Sequence, residues 1–429
     1  MSHKFDTQRI RAGYVPGEHH YAVSPPIYQT VAYDFRDVKN ALDLFGLREA
    51  GFLYTRIGNP TTAVFEQRVA ALEGAAGAVA LASGMAAISY TILNIAEGGG
   101  RILTSPYLYG GSFDSFTKIY PKFGIEFDYA KNIDDPAKLA DEIKPDTKAI
   151  FVESISNPNA YLLDIDAIAE VAHAHGIPLV VDNTVATPYL YRPFEHGADV
   201  VVYSVTKALN GHGNVIAGLV LESGKFDWAK FPHFTQKYYT LRTEEGIKRD
   251  FTEVFPDDPF TARIRLNYLN YFGAALSPFD SYLAIIGLET LSERLSKQSE
   301  NAGKIAEYLE KSEYAEWVRY PTLESHKNHA LYKRDFPNGA GGILAFGFKG
   351  TAQQKNKFLE SVEIFSYHVN IGDARSLIVN SPQTTHGELI PEDQEFADLP
   401  ENLIRISAGL EDADDLIADL QQAFETATK

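Results

Sequence analysis

The chain has 429 residues, a formal net charge of −18 and no cysteine. Its length exceeds the roughly 250–300 residues at which one hydrophobic core stops growing, so more than one domain is expected. The acidic balance argues against nucleic acid or an anionic membrane as partner, and the absence of cysteine excludes disulfides, thiolate catalysis and Cys-ligated metal or iron–sulfur sites.

No apolar run is long enough to span a bilayer. The opening "MSHKFDTQRIRAGYVPGEHH" lacks the apolar centre of a signal peptide, which predicts a cytoplasmic protein. Residues 1–58 are rich in Pro, Gly, Tyr and His and predict an extended arm. Residues 59–74, "NPTTAVFEQRVAALEG", predict an amphipathic helix with Pro60 and Thr61 near its start. Short Val- and Ile-rich runs come next: "AVALA" (78–82), "AIFVE" (149–153), "IPLVVD" (177–182), "DVVVYS" (199–204) and "VIAGLVL" (215–221). Runs of this length, bounded by Gly, Pro or Asp, read as strands buried on both faces. A helix predicted over 164–176, ended by Gly176, stands between two of them. The alternation predicts βαβ units, an α/β class and a mostly parallel sheet. From about Pro278 the pattern changes. One long helix over 277–312, a strand "GILAFGFKG" and a terminal helix over 412–428 predict a smaller α+β domain. The expected division is an arm at 1–58, a large domain at 59–270 and a C-terminal domain at 271–429.

Ligands of open α/β sheets bind beyond the C-terminal strand ends. After "AVALA" stand Ser83, Gly84 and Met85, opening a helix, which suits a phosphate. Glycine at such a turn is also common for structural reasons alone. After "AIFVE" comes Asn157. Asp182 closes a buried strand, where it either caps the next segment or needs a partner. Beside it stands Thr184. After "DVVVY" come Ser204, Thr206 and a lone Lys207, followed by Asn-Gly-His-Gly.

An anion cradle, a buried carboxylate, paired hydroxyls and one lysine form the set that pyridoxal phosphate requires. No G-x-x-x-x-G-K-[ST] and no strand-following G-x-G-x-x-G is present, which removes a P-loop and a dinucleotide fingerprint. His173/His175 and His19/His20 lack metal-site spacing and read as surface residues; no metal is expected.

The motifs "YTRIGNPTT", "LASGMAAI", "LYGGSFD", "VDNTVATPYL", "YSVTKALNGHG" and "NIGDARSL" carry a resemblance that runs nearly end to end. The chain resembles the Cys/Met-metabolism branch of fold-type I pyridoxal-phosphate enzymes, and within it the O-acetylhomoserine sulfhydrylases. The resemblance implies Lys207 as the Schiff-base lysine and proton shuttle, and Asp182 as the partner of the ring nitrogen. It implies Ser83, Gly84, Met85, Thr184, Ser204 and Thr206 around the phosphate, and Asn157 facing the phenolic oxygen. Tyr109 is implied as the stacked tyrosine, assisting proton transfer. Tyr54 and Arg56 are implied to reach the phosphate of a neighbouring subunit. Arg405, with Asn370 beside it, is implied as the clamp on the substrate carboxylate.

The reaction so implied is γ-replacement on O-acetyl-L-homoserine by sulfide or a small thiol such as methanethiol. The assembly implied is a homodimer with shared active sites, doubled to a homotetramer. Cystathionine γ-synthase and γ-lyase activities use the same residues, and a catalytically silent pyridoxal-phosphate protein is a third reading. The chain departs from the family habit at "NSPQTTH" (380–386) and at "NYFG" (270–273), which bears on substrate preference rather than cofactor.

Overall fold

In the computed structural model, which describes residues 3–429, the Val- and Ile-rich runs form a seven-stranded sheet. Residues 1 and 2 of the predicted arm lie outside the described residues. The strands are β1 (Gly77–Leu81), β2 (Gly100–Thr104), β3 (Ile125–Tyr129), β4 (Thr147–Glu153), β5 (Leu179–Asp182), β6 (Val200–Ser204) and β7 (Gly218–Glu222). Their order is β1-β7-β6-β5-β4-β2-β3. Side chains of β4, β6 and β7 are buried on both faces by helices packed above and below.

Capping explains where these helices begin. Asn59 accepts from the Thr61 N–H at 2.9 Å, and Pro60 opens the helix Pro60–Glu73. Gly74, at φ +76°, closes it. Ser83 accepts from the Ala86 N–H at 3.1 Å and starts the helix Gly84–Ile95 directly after β1. Asp164 does the same for Ile165–Ala174.

The expected runs become strands, and the structure adds two. β2 and β3 escape the apolar pattern because β2 carries Arg101 and β3 is a half-exposed edge. Arg101 and Asp128 join them by an ion pair at 2.6 Å. β7 runs antiparallel to both neighbours. The thirteen-residue link from β6 is spent folding the Lys207 loop at the end of β6, so no helix carries the chain back for a parallel return.

The second sheet is antiparallel throughout, with β8 (Ala315–Arg319), β9 (Ile343–Phe348), β10 (Leu377–Val379) and β11 (Leu403–Ser407) in the order β10-β11-β9-β8. Phe346, Phe348, Phe358 and Phe424 close its core beneath the terminal helix Ala413–Thr428.

Two expectations are corrected. The long helix over 277–312 is two helices, Pro278–Leu288 and Leu291–Glu310. Arg294 accounts for the break. Its guanidinium donates to the Gly287 carbonyl at the end of the first helix and to the Ala208 carbonyl just after Lys207. Residues 1–58 are not extended throughout, since they hold the helices Phe5–Arg11 and Val38–Phe45. The first is docked on its own chain through Arg9, which pairs with Asp6 and Glu293, and through Arg68, which donates to the Ala12 carbonyl. Beyond it the arm leaves Tyr21, Val23, Val31 and Phe45 exposed.

Candidate active site

A cavity of about 450 Å³ opens at the C-terminal ends of β4, β5 and β6, against the second sheet. It is lined by Ser83, Gly84, Met85, Tyr109, Asn157, Asp182, Thr184, Ser204, Thr206, Lys207, Asn370 and Arg405. The chain thus brings together all the sequence-derived candidates except Tyr54 and Arg56. Those two are exposed outside the cavity, with the Arg56 guanidinium 4.9 Å from the centre of the Tyr54 ring.

One wall is built for an anion. The first-turn N–H groups of the helix Gly84–Ile95 have no intrahelical acceptor and face the cavity at its positive end. A side chain at Gly84 would place its Cβ 2.6 Å from Ser204 Cβ, so only glycine lets the helix end approach Ser204. The Ser204 N–H donates to Thr184 Oγ1 at 2.8 Å, and the Thr184 N–H donates to Asp182 Oδ1 at 3.0 Å. Thr206 is held differently from its neighbours. Its hydroxyl donates to the Ala217 carbonyl and accepts from the Ala217 N–H, which pins the start of β7.

The floor holds two carboxyls, Asp182 and Glu153, which are register partners on β5 and β4. Burial pushes Asp182 up to about 6. Lys207 Nζ donates to Asn370 Oδ1 at 2.8 Å. Burial, then the nearby Arg405 charge, lowers the lysine to about 8. Below that value the amine is an ammonium without a free lone pair. Reconstitution of cofactor-free protein with pyridoxal phosphate should therefore quicken as pH rises and level off above about 8, as followed by visible absorbance. A rate falling with pH over that range would contradict the assignment. The same shift makes this lysine's contribution to stability grow from pH 8 toward 10.5, because the unfolded chain keeps the proton longer.

Arg405, on β11, is 2% exposed. Its Nη1 donates to Asn157 Oδ1 at 3.0 Å and its Nη2 to the Asn370 carbonyl at 2.9 Å. Its Nε is buried without a partner. Burial lowers the group to about 10. A buried guanidinium held only by neutral oxygens calls for an anion from outside the chain. Tyr109 stands at the mouth with its ring over Gly111, where a Cβ would lie 2.6 Å from Tyr109 Cε1.

The donor set suits pyridoxal phosphate in each part: a helix end and hydroxyl for the phosphate, a carboxyl, an amine, and a spare cation for a substrate acid. The family described as Cys/Met metabolism PLP-dependent enzyme matches residues 6–425. The chain belongs to that family. Its members use pyridoxal phosphate, so the cofactor comes with the family. Homocysteine synthase of Schizosaccharomyces pombe is 42% identical over 99% of each chain. O-acetyl-L-homoserine sulfhydrylase of Leptospira meyeri is 40% identical over 98% of this chain and 97% of its own. A crystal structure assigned as an O-acetylhomoserine (thiol)-lyase of Campylobacter jejuni superposes with a TM-score of 0.93 at 36% identity. It covers 99% of this chain and 100% of its own, and carries a pyridoxyl-lysine monophosphate. The fold is accordingly that of the fold-type I pyridoxal-phosphate enzymes, with a mostly parallel central sheet and a smaller antiparallel one.

Glu153, Thr384 and Thr385 line the cavity without a role in the sequence reading, and Asp373 and His386 stand beside it. Glu153 ends the run "AIFVE" as Asp182 ends "IPLVVD", and the same reasoning about an acid closing a buried strand would have found it. Asp373 was hidden in a loop, where it accepts from Arg375 at 3.1 Å and from Asn370 Nδ2 at 3.3 Å. His386 is buried behind the Tyr109 loop. Its Nε2 lies 3.2 Å from the Leu108 carbonyl, and burial lowers it to about 4, so it is neutral. Thr384 and Thr385 of the departing "NSPQTTH" segment line the cavity mouth. His173 and His175 are exposed, as expected. No helix among the described residues is long and apolar enough to cross a membrane.

Proposed function

We propose that the protein catalyses γ-replacement on O-acetyl-L-homoserine by sulfide or methanethiol, yielding L-homocysteine or methionine and acetate. The observation that carries this reading is Arg405, a buried guanidinium without an acid partner, placed beside Lys207 in a cavity of amino-acid size. The names borne by the full-length relatives support the same substrate. Bound in this cavity, pyridoxal phosphate supplies an electron sink for charge developing at the substrate Cα.

The residues divide the work. The first-turn N–H groups of Gly84 and Met85, with Ser83, Ser204, Thr184 and Thr206, hold the phosphate. Asp182 carries the negative charge that keeps a proton on the ring nitrogen. With the cofactor bound, Asn157 would face the phenolic oxygen, and Tyr109 would cover the ring and assist proton transfer. Arg405 fixes the α-carboxylate by its fork, with Asn370 beside it. Lys207 takes the Cα proton and returns it, and Asn370 Oδ1 at 2.8 Å holds the amine when it is free. Loss of a Cβ proton then lets acetate leave Cγ, hydrosulfide forms the new C–S bond there, and a proton returns to Cβ to give the saturated product.

The division into an arm at 1–58, a cofactor domain at 59–270 and a C-terminal domain at 271–429 belongs to this reading, supported by two separate sheets. A homodimer with shared sites, doubled to a tetramer, belongs to it as well. The exposed positions of Tyr54 and Arg56, away from their own chain's cavity, support that sharing. Mixing Lys207→Ala with Arg56→Ala protein should restore up to about a quarter of wild-type turnover, since half the dimers become hybrids with one intact site. Mixtures no more active than their parents would contradict a shared site.

The function is tested by product analysis of the cofactor-loaded protein. O-acetylhomoserine with sulfide is expected to give homocysteine, and methionine alone is expected to give nothing. Methanethiol and 2-oxobutyrate from methionine, with little homocysteine from the first mixture, would make the protein a γ-lyase instead.

A further inference from the structure

Glu153 takes no part in the chemistry assigned above, yet it is 5% exposed and lines the same cavity. Its two oxygens reach two different loops. Oε1 accepts from the Tyr109 N–H at 2.6 Å, and Oε2 accepts from the Asn157 N–H at 3.2 Å. The Tyr109 N–H stands at the start of the helix Gly110–Lys118, where Tyr109 is the N-cap residue and makes no side-chain cap. A side chain arriving from β4 therefore satisfies a donor that the helix leaves open. The second donor belongs to Asn157, whose Oδ1 accepts from Arg405. One side chain thus ties the backbone of the residue at the cavity mouth to the backbone of the residue joined to the guanidinium.

We propose that Glu153 is a positioning residue that fixes Tyr109 and Asn157 relative to one another around the bound pyridoxal ring. The proposal rests on the cofactor reading of the cavity. Its chemistry explains why the residue is Glu. Two N–H groups converge from separate loops, and only a side chain ending in two acceptor oxygens accepts from both. Asp at this place is one methylene too short to bridge them, and Gln offers one acceptor and a donor that opposes the second N–H.

Its neighbour on β5 sharpens the role. Glu153 and Asp182 face each other in register, and burial and the Asp182 charge push Glu153 well above the usual carboxylate range. Burial raises both acids, so their hydrogen-bond partners rather than the direction of the shift separate their tasks. Asp182 is assigned above to the ring nitrogen, and Glu153 holds the frame through its two acceptor oxygens.

The experiment compares holoenzymes of wild type, Glu153→Gln and Glu153→Ala. The readouts are visible circular dichroism per bound cofactor, steady-state constants and thermal midpoint. The dichroic band reports how the ring sits among its asymmetric neighbours and does not depend on turnover. In Glu153→Ala the band is expected to fall by about half or more and kcat by about 100-fold, with KM changed less than about threefold, because misplacement near 1 Å costs about that much. Glu153→Gln should fall between Glu153→Ala and wild type in both band and kcat, by about 10-fold in kcat. A wild-type band and kcat in the Ala variant overturns the proposal. So does a loss of both that merely tracks the fraction of unfolded protein. If the Ala variant does not fold, a Gln variant with wild-type band and kcat overturns it equally, since one acceptor is gone. Failure of the wild type to bind pyridoxal phosphate, read before any variant, would instead remove the cofactor reading on which this rests.

Discussion

Lys207→Ala is expected to reduce turnover by about 10⁴-fold or more while leaving the protein folded. Two tasks rest on this amine, attachment of the cofactor and proton transfer at Cα, and either alone is commonly worth about 10²–10⁴-fold. The fold should survive because the side chain makes one hydrogen bond, to Asn370 Oδ1, and its removal relieves a buried cation. The loop itself is held from elsewhere. Arg294 donates to the Ala208 carbonyl, and Gly211 packs against the same guanidinium so closely that a Cβ would overlap it. The variant should still take up pyridoxal phosphate, because the phosphate wall is untouched, but borohydride should no longer fix the cofactor to the chain. Product formation at wild-type rate would refute the assigned mechanism.

Arg405→Lys is expected to cut kcat/KM for O-acetylhomoserine by about 10²–10⁴-fold, chiefly through KM, with the cofactor spectrum unchanged. The fork makes two charge-assisted bonds to a carboxylate, each worth about 1.5–3 kcal/mol, and an ammonium cannot match that geometry. Arg405→Leu should abolish substrate saturation, yet its thermal midpoint without substrate should not fall. Two hydrogen bonds to neutral oxygens are lost, but so is a buried charge that no acid neutralises, and the two offset. A Leu variant with normal KM would show that the substrate acid is bound elsewhere. A large drop in midpoint would show that Arg405 is structural.

Much of the site was readable because each candidate stood at the end of a short buried run or just beyond it. Strand ends at Asp182 and Ser204 and the helix start at Ser83 come from local patterns, capping and glycine placement. Glu153 closes its own apolar run as Asp182 does, so it was readable by the same rule of an acid ending a buried strand. β2 and β3 were missed because an ion pair and a half-exposed edge replace the apolar run that marks the other strands. The break at 289–290 could not be seen in a continuous helical pattern. The group that stabilises it, Arg294, acts through carbonyls 85 and 86 residues away.

Short-range periodicity, caps and turns are local properties, so the strands and helices, the class of fold and the residue types available for chemistry could be read along the chain. Packing in three dimensions was needed to make β7 antiparallel, to bring Arg405 from the second sheet beside Asn157 from the first, and to set Glu153 facing Asp182 across a strand pair. Those relations join residues far apart in the chain. They arise from packing two sheets against one cavity, where burial turns ordinary Lys, Arg and Asp side chains into groups with displaced proton affinities.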